Sequence, residues 1–315
     1  MRAPFPHPLR SGLGALLVCL LAACSEAPQP GRSDSTQADT PPVLARGADS
    51  WMADVVAMAA ADGNAGRREV IRARLDALGL QWRNQHFTVS GEAGENILAG
   101  VSGSAEAPLL LLGAHSDRVD VGRGATDNAS GSATVLALAR RLKQQPLAHH
   151  RVALAFWDLE EKGLLGAQAY LDNRGEAPAL YVNFDVLGWG DTLWMMAPDA
   201  DHPLLAAVRE ATQIRALGLR AGGRYPPSDY RPFLQADLPA VSFALVDAQE
   251  IAPILDAYAG NPPAPMPKLM QVIHNERDTV AEIDPAATAL AVDAIEAALR
   301  QWDGGLAGAA DAAVP

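Results

Sequence analysis

The chain has 315 residues, 49% of them hydrophobic, and a formal net charge of -12 at pH 7. Its acidity argues against nucleic acid as a partner, because contacts with phosphates need a basic surface. Once the two termini are set aside, roughly 255 residues remain, a length that one α/β domain can contain.

The amino-terminal segment has the charge order of a secretory signal. Arg2 and Arg10 precede an apolar stretch over residues 13–23, which is too short to span a bilayer as a stable helix. The Leu-Ala-Ala-Cys sequence ending at Cys24 resembles a bacterial lipobox. That resemblance implies a lipoprotein signal peptide at residues 1–23 and a lipid on the Cys24 thiol, so that the mature protein is anchored in the bacterial cell envelope, on the periplasmic side of the outer membrane or at the cell surface. The alternative is an ordinary signal peptide.

The segments on either side of the predicted domain have simple compositions. Residues 24–46 are rich in Pro, Ser, Gln, Thr and Asp, which predicts a flexible tether. The Ala- and Gly-rich residues 304–315 are expected to be a disordered tail. Residues 47–303 are therefore predicted to form the folded domain. Because Cys19 lies in the signal segment, the mature chain would keep one cysteine and no intrachain disulfide.

Helical and strand patterns alternate along the folded region. A peripheral antiparallel pair of strands is predicted at residues 80–89 and 95–101, and a later strand at 240–245. This alternation predicts an α/β fold, a three-layer α/β/α sandwich with a mixed, largely parallel central sheet. The predicted helices cover residues 50–61, 67–78, 129–142, 203–216 and 285–302.

Three short apolar runs lead into polar residues. Residues 109–114 precede His115, residues 152–157 precede the adjacent acids at 160 and 161, and residues 180–184 precede Asp185. Such runs are typical of central strands covered on both faces, and in open α/β sheets ligands bind beyond the carboxyl ends of these strands. A histidine and several carboxylates would then meet at one edge. Divalent metal ions stabilise such a concentration of charge, so the sequence indicates a metalloenzyme.

Each motif also has a simpler interpretation. An aspartate before a helix, such as Asp127, is commonly an N-cap. Adjacent acids such as Glu160 and Glu161 can complement a helix dipole; alternatively, one binds a metal while the other takes a proton from water. His274, alone in a polar loop, would be a surface histidine. A dinucleotide loop over residues 122–127 is not supported, because Asp127 would repel a pyrophosphate.

Taken together, the motifs resemble the M28 family of zinc aminopeptidases, relatives of the leucyl aminopeptidases secreted by bacteria. The resemblance implies a zinc-exopeptidase fold and metal-dependent hydrolysis of N-terminal peptide bonds. The matching segments are Gly-Ala-His-Ser-Asp at 113–117, Gly-Ala-Thr-Asp-Asn-Ala-Ser-Gly at 124–131, Leu-Glu-Glu-Lys-Gly-Leu-Leu-Gly at 159–166, Asn-Phe-Asp at 183–185, Ser-Asp at 228–229, and His274 with Asp-Thr at 278–279.

The resemblance also implies a metal centre with two zinc ions. Asp127 would bridge the two ions. His115 and Asp185 would complete the ligands of one ion, and Glu161 and His274 those of the other. Three carboxylates would offset most of the charge of two Zn²⁺ ions and leave an acidic surround for the α-ammonium group of a substrate.

Three further residues acquire catalytic roles by the same resemblance. Glu160 would be the general base, and Asp117 would accept a hydrogen bond from the imidazole of His115 and hold its tautomer. Tyr225 would donate a hydrogen bond to the developing oxyanion. Other aromatic residues are candidates for lining the substrate pocket or its entrance, namely Trp189, Tyr230, Phe233 and Tyr258.

The expected substrates are peptides with a free N-terminus. No nucleic-acid partner is expected, membrane contact would occur only through Cys24, and the protein is expected to be a monomer. Two alternatives stay open within the same fold: a glutaminyl-peptide cyclotransferase with a single zinc, and an inactive binding protein. A serine hydrolase is not supported, because the sequence has no Gly-x-Ser-x-Gly motif.

Overall fold

The computed structural model describes residues 43–311, and the side chains of residues 49–305. Its strands are β1 (Trp82–Val89), β2 (Glu92–Ser102), β3 (Leu109–His115), β4 (Arg151–Trp157), β5 (Leu180–Phe184), β6 (Thr192–Met196), β7 (Gly218–Gly222) and β8 (Ala240–Val246). Its helices are α1 (Val43–Ala60), α2 (Gly63–Ala77), α3 (Ser130–Gln144), α4 (Leu165–Asp172), α5 (Pro203–Ile214), α6 (Tyr230–Gln235), α7 (Ile251–Tyr258), α8 (Lys268–Val272) and α9 (Pro285–Asp311).

The strands form one eight-stranded sheet in the order β1-β2-β4-β3-β5-β8-β6-β7. The four central strands β4, β3, β5 and β8 run parallel to one another. Antiparallel pairs flank them, β1 with β2 and β2 with β4 on one side and β8 with β6 on the other. The predicted mixed sheet is therefore confirmed, and the carboxyl ends of the central strands lie at one edge.

Alternate residues of β3 enter separate hydrophobic clusters. Leu110 and Leu112 belong to a large cluster with α1, α3, α5 and α9, whereas Leu109 and Leu111 belong to a cluster with α4 and α6. Because successive side chains of a strand point to opposite faces, helices cover the sheet on both sides. This arrangement is the predicted three-layer sandwich. A third cluster packs α7 and α8 against β6 and β8.

The predicted elements are present, with shifted ends, and several short ones were not anticipated. Strand β6 has five buried residues, and β7 is an edge strand that begins and ends with glycine; neither shows an alternating pattern. Helix α1 begins at Val43, inside the segment expected to be a tether, and α9 continues to Asp311, because its alanine-rich end favours helix. The predicted signal peptide, Cys24 and the rest of the tether lie outside the described residues.

Of the helices between residues 43 and 311, none combines the length and the apolar character needed to cross a membrane.

Candidate metal centre

Strand ends and the loops that follow them bring the candidate ligands together. His115 is the last residue of β3, and its register partner on β4 is Trp157, three residues before Glu160. Asp185 directly follows β5, which is the other neighbour of β3. Asp127 lies in the short segment Ala125–Ala129 between β3 and α3, where its backbone is not helical, and His274 follows α8. Parallel pairing of the central strands thus accounts for the meeting of residues that are far apart in the chain.

The carboxylate of Asp127 contacts two different groups of side chains. Its Oδ1 lies 3.0 Å from Nε2 of His115, which is also 3.4 Å from Oδ1 of Asp185. Its Oδ2 lies 3.1 Å from Nε2 of His274, which is also 2.9 Å from Oε2 of Glu161. The structure therefore brings all five predicted ligands together, with Asp127 between the pairs.

The turn that carries Asp127 is fixed from both sides. The carboxylate of Asp278 accepts hydrogen bonds from the main-chain N–H groups of Thr126, at 2.7 Å, and Asp127, at 3.1 Å. The side chain of Asn128 donates to the carbonyl of Phe184 and accepts from the N–H of Gly131. A side chain at Gly131 would collide with these two groups. Asp127 is therefore held rigidly against the end of β5.

Asp117 does more than the sequence predicted for it. Nδ1 of His115 donates a hydrogen bond to the main-chain carbonyl of Asp117 at 3.2 Å, and the carboxylate of Asp117 lies 3.4 Å from the same nitrogen, so Asp117 orients the imidazole mainly through its carbonyl. The same carboxylate accepts the main-chain N–H groups of Glu160, at 3.1 Å, and Glu161, at 3.2 Å. One buried acid thus aligns a histidine and the loop of the paired glutamates.

Several residues beside the site have left-handed backbone conformations. Leu159 precedes Glu160 with φ 59°, and Val186 follows Asp185 with φ 57°. His274 itself has φ 56°. A positive φ at such residues costs on the order of 1–3 kcal/mol each, and persists only where the surroundings enforce it. The fold thus holds these side chains in position against local backbone preference.

The electrostatics of the cluster suit a bound cation. Burial raises the pKa of Glu160 well above its usual value, and neighbouring acids add to this effect. Burial would also raise the pKa of Asp127, but hydrogen bonds from His115 and His274 outweigh it and hold that pKa below its usual range. Hydrogen bonds to Asp127 and Glu161 raise the pKa of His274 to about 10.

Two buried oxygens in this cluster make no hydrogen bond within the described residues: Oε1 of Glu161 and Oδ1 of Asp185. Burying carboxylate oxygens without a hydrogen bond is costly, and carboxylates and imidazoles are the ligands that zinc binds. The donor set therefore fits zinc.

A cavity of about 490 Å³ opens over the acids. One wall is apolar and comes mainly from the cluster around β6, β8 and α8, with Trp194, Leu269 and Ile273 among its residues. Tyr225 and Tyr258 line the cavity, as expected. Such a pocket is within the size range of small-ligand sites.

Three other candidate aromatics do not line this cavity. Trp189 packs under Lys268, with the ammonium 3.9 Å from its ring. Phe233 stacks on Tyr181 at 4.0 Å, and Tyr230 contacts the ring of Tyr225 edge-on. These rings serve packing. The expectation that Trp189, Tyr230 and Phe233 line the pocket was therefore wrong.

Tyr225 has a hydroxyl suited to donating a hydrogen bond into the cavity. The hydroxyl oxygen is buried and has no partner of good geometry among the described residues. Burial, together with the charge of Asp185, raises the pKa of Tyr225 well above its usual value. The phenol therefore keeps its proton at neutral pH.

Sequence reasoning gave no role to three residues near the site, two of them buried and one partly exposed. Arg67 of α2 is 1% exposed and donates to the carbonyls of Asp117, Arg123 and Gly124. Its neighbour Arg68 pairs with Asp158 at 2.9 Å, just before the paired glutamates. No sequence pattern marks these arginines, because their partners are distant in the chain. Asp229 belongs to the Ser-Asp motif at 228–229, for which the sequence predicted no individual role, and it is fully buried.

Comparison with known proteins agrees with this geometry. The model of peptidase family M28 matches residues 96–299, and the chain belongs to that family. Among curated relatives, it is 33% identical over 197 residues to leupeptin-inactivating enzyme 1 of Streptomyces exfoliatus, covering 57% of this chain and 43% of that protein. It is 38% identical over 96 residues to the probable lipoprotein aminopeptidase LpqL of Mycobacterium tuberculosis, covering 29% and 19%. The chain thus spans less than half the length of these relatives.

Solved structures share the fold. A zinc aminopeptidase from Bacillus subtilis, BSAP, superposes with a TM-score of 0.54 and 23% identity, over 67% of this chain and 51% of that one. A glutaminyl cyclase from Porphyromonas gingivalis superposes with a TM-score of 0.64 and 21% identity, over 82% of this chain and 98% of that one.

Proposed function

We propose that this protein is a zinc-dependent aminopeptidase that holds two metal ions. The observation that carries the proposal is the position of Asp127, whose two carboxylate oxygens face different histidines at 3.0 and 3.1 Å. His115 and Asp185 would complete one metal position, and Glu161 and His274 the other. Membership of family M28 and the resemblance in fold to a zinc aminopeptidase support this assignment.

Bound zinc would supply Lewis acidity, lowering the pKa of a water molecule and polarising the scissile carbonyl. Glu160 would take the proton from that water; its place in the lining of the cavity, next to the candidate ligand Glu161, supports this role. Its buried carboxyl can hold the proton and deliver it to the leaving amine. Such a general base contributes on the order of 10² to 10⁴ in rate.

Tyr225 would donate its hydroxyl hydrogen bond to the oxyanion that forms on the substrate. Its ring is held between Trp194, at 4.6 Å, and Tyr230, at 5.9 Å. A donor fixed in this way needs no rearrangement when the charge develops, which is how oxyanion stabilisation lowers a barrier.

The cavity favours an N-terminal amino acid over an internal peptide segment. Its acids would attract a free α-ammonium group, and its apolar wall would accept an apolar side chain. We therefore propose peptides with a free N-terminus as substrates.

The test is hydrolysis of leucyl anilides by purified protein, with zinc counted per chain. Two zinc ions and loss of activity with a chelator are expected. Glu160→Ala should keep its zinc and lose about 10²-fold or more in kcat. Activity that survives metal removal would contradict the proposal, and loss of zinc from Glu160→Ala would mean that the roles of the paired glutamates are exchanged.

A glutaminyl cyclase is the second candidate, because the fold of this chain superposes on 98% of the length of the Porphyromonas cyclase. A cyclase would release ammonia from peptides with N-terminal glutamine and would hold one zinc. Hydrolysis of leucyl substrates with two zinc ions per chain would exclude it.

We also propose that Cys24 carries a lipid anchor that tethers the enzyme in the bacterial cell envelope. The lipobox-like sequence before it supports this, as does the similarity to a probable lipoprotein aminopeptidase. Cells grown with labelled palmitate should label the wild-type protein but not Cys24→Ser. Equal labelling of both would contradict the anchor.

A further inference from the structure

One basic side chain shares the substrate cavity with the acids. Arg231, in α6, lines the cavity together with Glu160, Glu161 and Asp185. Apart from the candidate ligand His274, it is the only basic residue among the described residues that line this cavity. The cavity therefore has an acidic floor and a single guanidinium beside it.

The guanidinium of Arg231 is free to bind a ligand. Some arginines of the described region have carboxylate partners, for example Arg151 with Glu176 and Arg277 with Glu282, whereas others, such as Arg209, have none. Among residues 49–305, no carboxylate forms an ion pair with Arg231, and its side chain is exposed. Its main chain is nevertheless fixed, because its N–H donates to the carbonyl of Ser228 at 3.0 Å.

Arg231 and the apolar wall lie on different parts of the fold. The wall belongs to the cluster that includes Trp194 and Leu269, whereas α6 packs through Phe233 into the cluster of Trp157 and Tyr181. Tyr225 contacts both clusters. A ligand whose apolar side chain packs against the wall can therefore place its other end near Arg231.

We infer that Arg231 binds the C-terminal carboxylate of the substrate, so that the preferred substrates are peptides of two or three residues. This inference rests on the proposed aminopeptidase function. A guanidinium binds a carboxylate through two parallel hydrogen bonds, which is the recognition that arginine provides and lysine does not. A short zwitterionic peptide matches the cavity in both of its charges: its ammonium faces the acids, and its carboxylate faces Arg231.

The experiment compares free acids with their C-terminal amides. Leucylglycine, leucyldiglycine and leucyltriglycine, each as acid and amide, are given to wild type, Arg231→Gln and Arg231→Lys. In wild type, kcat/KM should be about tenfold higher for the acid than for the amide at one of the two shorter lengths. In Arg231→Gln this ratio should fall to near one, mainly through KM, because the contact is made equally before and during reaction. Arg231→Lys should keep part of the ratio.

Arg209→Gln is the matched control, because Arg209 is exposed, does not line the cavity, and its loss changes the net charge equally. It should keep the wild-type ratio. Equal rates on acid and amide at every length, or a ratio that survives in Arg231→Gln, would overturn the inference while the aminopeptidase function stands.

A further arm tests an acidic side chain as the source of the carboxylate. Leucylaspartate amide is compared with leucylasparagine amide. A preference for the aspartate that disappears in Arg231→Gln, without any acid-to-amide preference, would overturn the short-peptide assignment. Failure to hydrolyse any of these peptides would contradict the aminopeptidase function itself, and this inference with it.

Discussion

The two sides of Asp127 are built differently. On one side, His115 is 1% exposed and ends a central strand, and Asp185 directly follows the next strand. On the other, His274 is 52% exposed in a loop, and Glu161 lies four residues beyond the end of β4. We call the first pair the strand position and the second pair the loop position.

The two positions therefore depend on different parts of the structure. The sheet itself sets the strand position, because parallel pairing of β3 with β5 fixes both of its residues. The loop position depends on contacts outside the sheet, such as the N–H groups of Glu160 and Glu161 on Asp117. We therefore expect the strand position to bind zinc more tightly and the loop position to be emptied first.

Removing the carboxylate common to both positions should have the largest effect. Asp127→Asn is expected to lose most of its zinc and about 10³-fold or more in kcat/KM. Loss of a residue that merely supports a metal ligand typically costs 10 to 100-fold, and Asp127 faces both positions directly. Zinc content after dialysis and anilide hydrolysis measure the effect.

Asp120→Asn is the control for this change, because Asp120 is exposed on the same loop. It should behave as wild type. If Asp127→Asn kept two zinc ions, the proposal that both positions share the carboxylate of Asp127 would be wrong.

Replacing each histidine by alanine should separate the positions. His115→Ala would leave a cavity and unpaired acids in the interior, so we expect loss of zinc and about 2 kcal/mol or more of unfolding free energy. His274→Ala should empty the loop position only. Measured near pH 10, where the contribution of His274 to stability is largely lost, it should change the unfolding free energy of the metal-free protein little. Zinc counts and denaturant unfolding after chelation test this. Equal destabilisation by the two variants would contradict the distinction.

The pH dependence of zinc binding should follow from the histidines. Hydrogen bonds to acids raise the pKa of His274 to about 10. Burial opposes protonation of His115, but the charge of Glu160 and hydrogen bonds to acids outweigh it and raise the pKa of His115 well above its usual value. The imidazole of His274 is then protonated at pH 7 in the metal-free protein and must release its proton to bind zinc. Zinc affinity should therefore rise with pH, and zinc binding should release protons.

Titration calorimetry in two buffers of different ionisation enthalpy measures this release, and His274→Ala should release about one proton fewer. The stability of the metal-free protein, in contrast to its zinc affinity, should fall as the pH rises. His274 has a folded-state pKa of about 10 against 6.5, so its contribution to stability is complete below pH 6.5 and is lost as the pH rises toward 10. Zinc binding without proton release would contradict the assignment.

The strand position could be predicted from the residues, and the loop position only through a family resemblance. His115 and Asp185 stand at the ends of continuous apolar runs, and the rule that parallel strands share an edge places them together. Nothing in the sequence around His274 indicates where its loop lies. Its location depends on the packing of α8 against the sheet, which is a tertiary property.

The cavity walls were harder to predict for the same reason. Trp194 lies on β6, a five-residue strand without a recognisable pattern. Phe233 is close in sequence to Tyr225 but faces the interior, where it packs with Trp157 and Tyr181. Proximity in sequence does not determine which side of a wall a ring occupies.

Adjacent arginines of α2 provide the finest test of the comparison, since Arg67 supports the segment that carries the shared Asp127, whereas Arg68 supports the loop position alone. Arg67 donates hydrogen bonds to the carbonyls of Asp117 and Gly124, in the segment between His115 and Asp127. Burial lowers the pKa of Arg67 to about 10, so the guanidinium stays charged at neutral pH. Arg68 reaches Asp158, at the start of the loop that carries Glu161.

Arg67→Gln should cost about 2 kcal/mol or more of unfolding free energy, because buried carbonyls lose their donors. It should weaken zinc at both positions, since Asp127 is common to them. Arg68→Gln removes a partly exposed ion pair, 16% exposed at the arginine, and should cost at most about 1 kcal/mol. Its effect should be a few-fold loss of zinc affinity confined to the second ion bound. If Arg68→Gln weakened the first ion instead, the loop of the paired glutamates would support the tighter position, and the order of the two positions would be reversed.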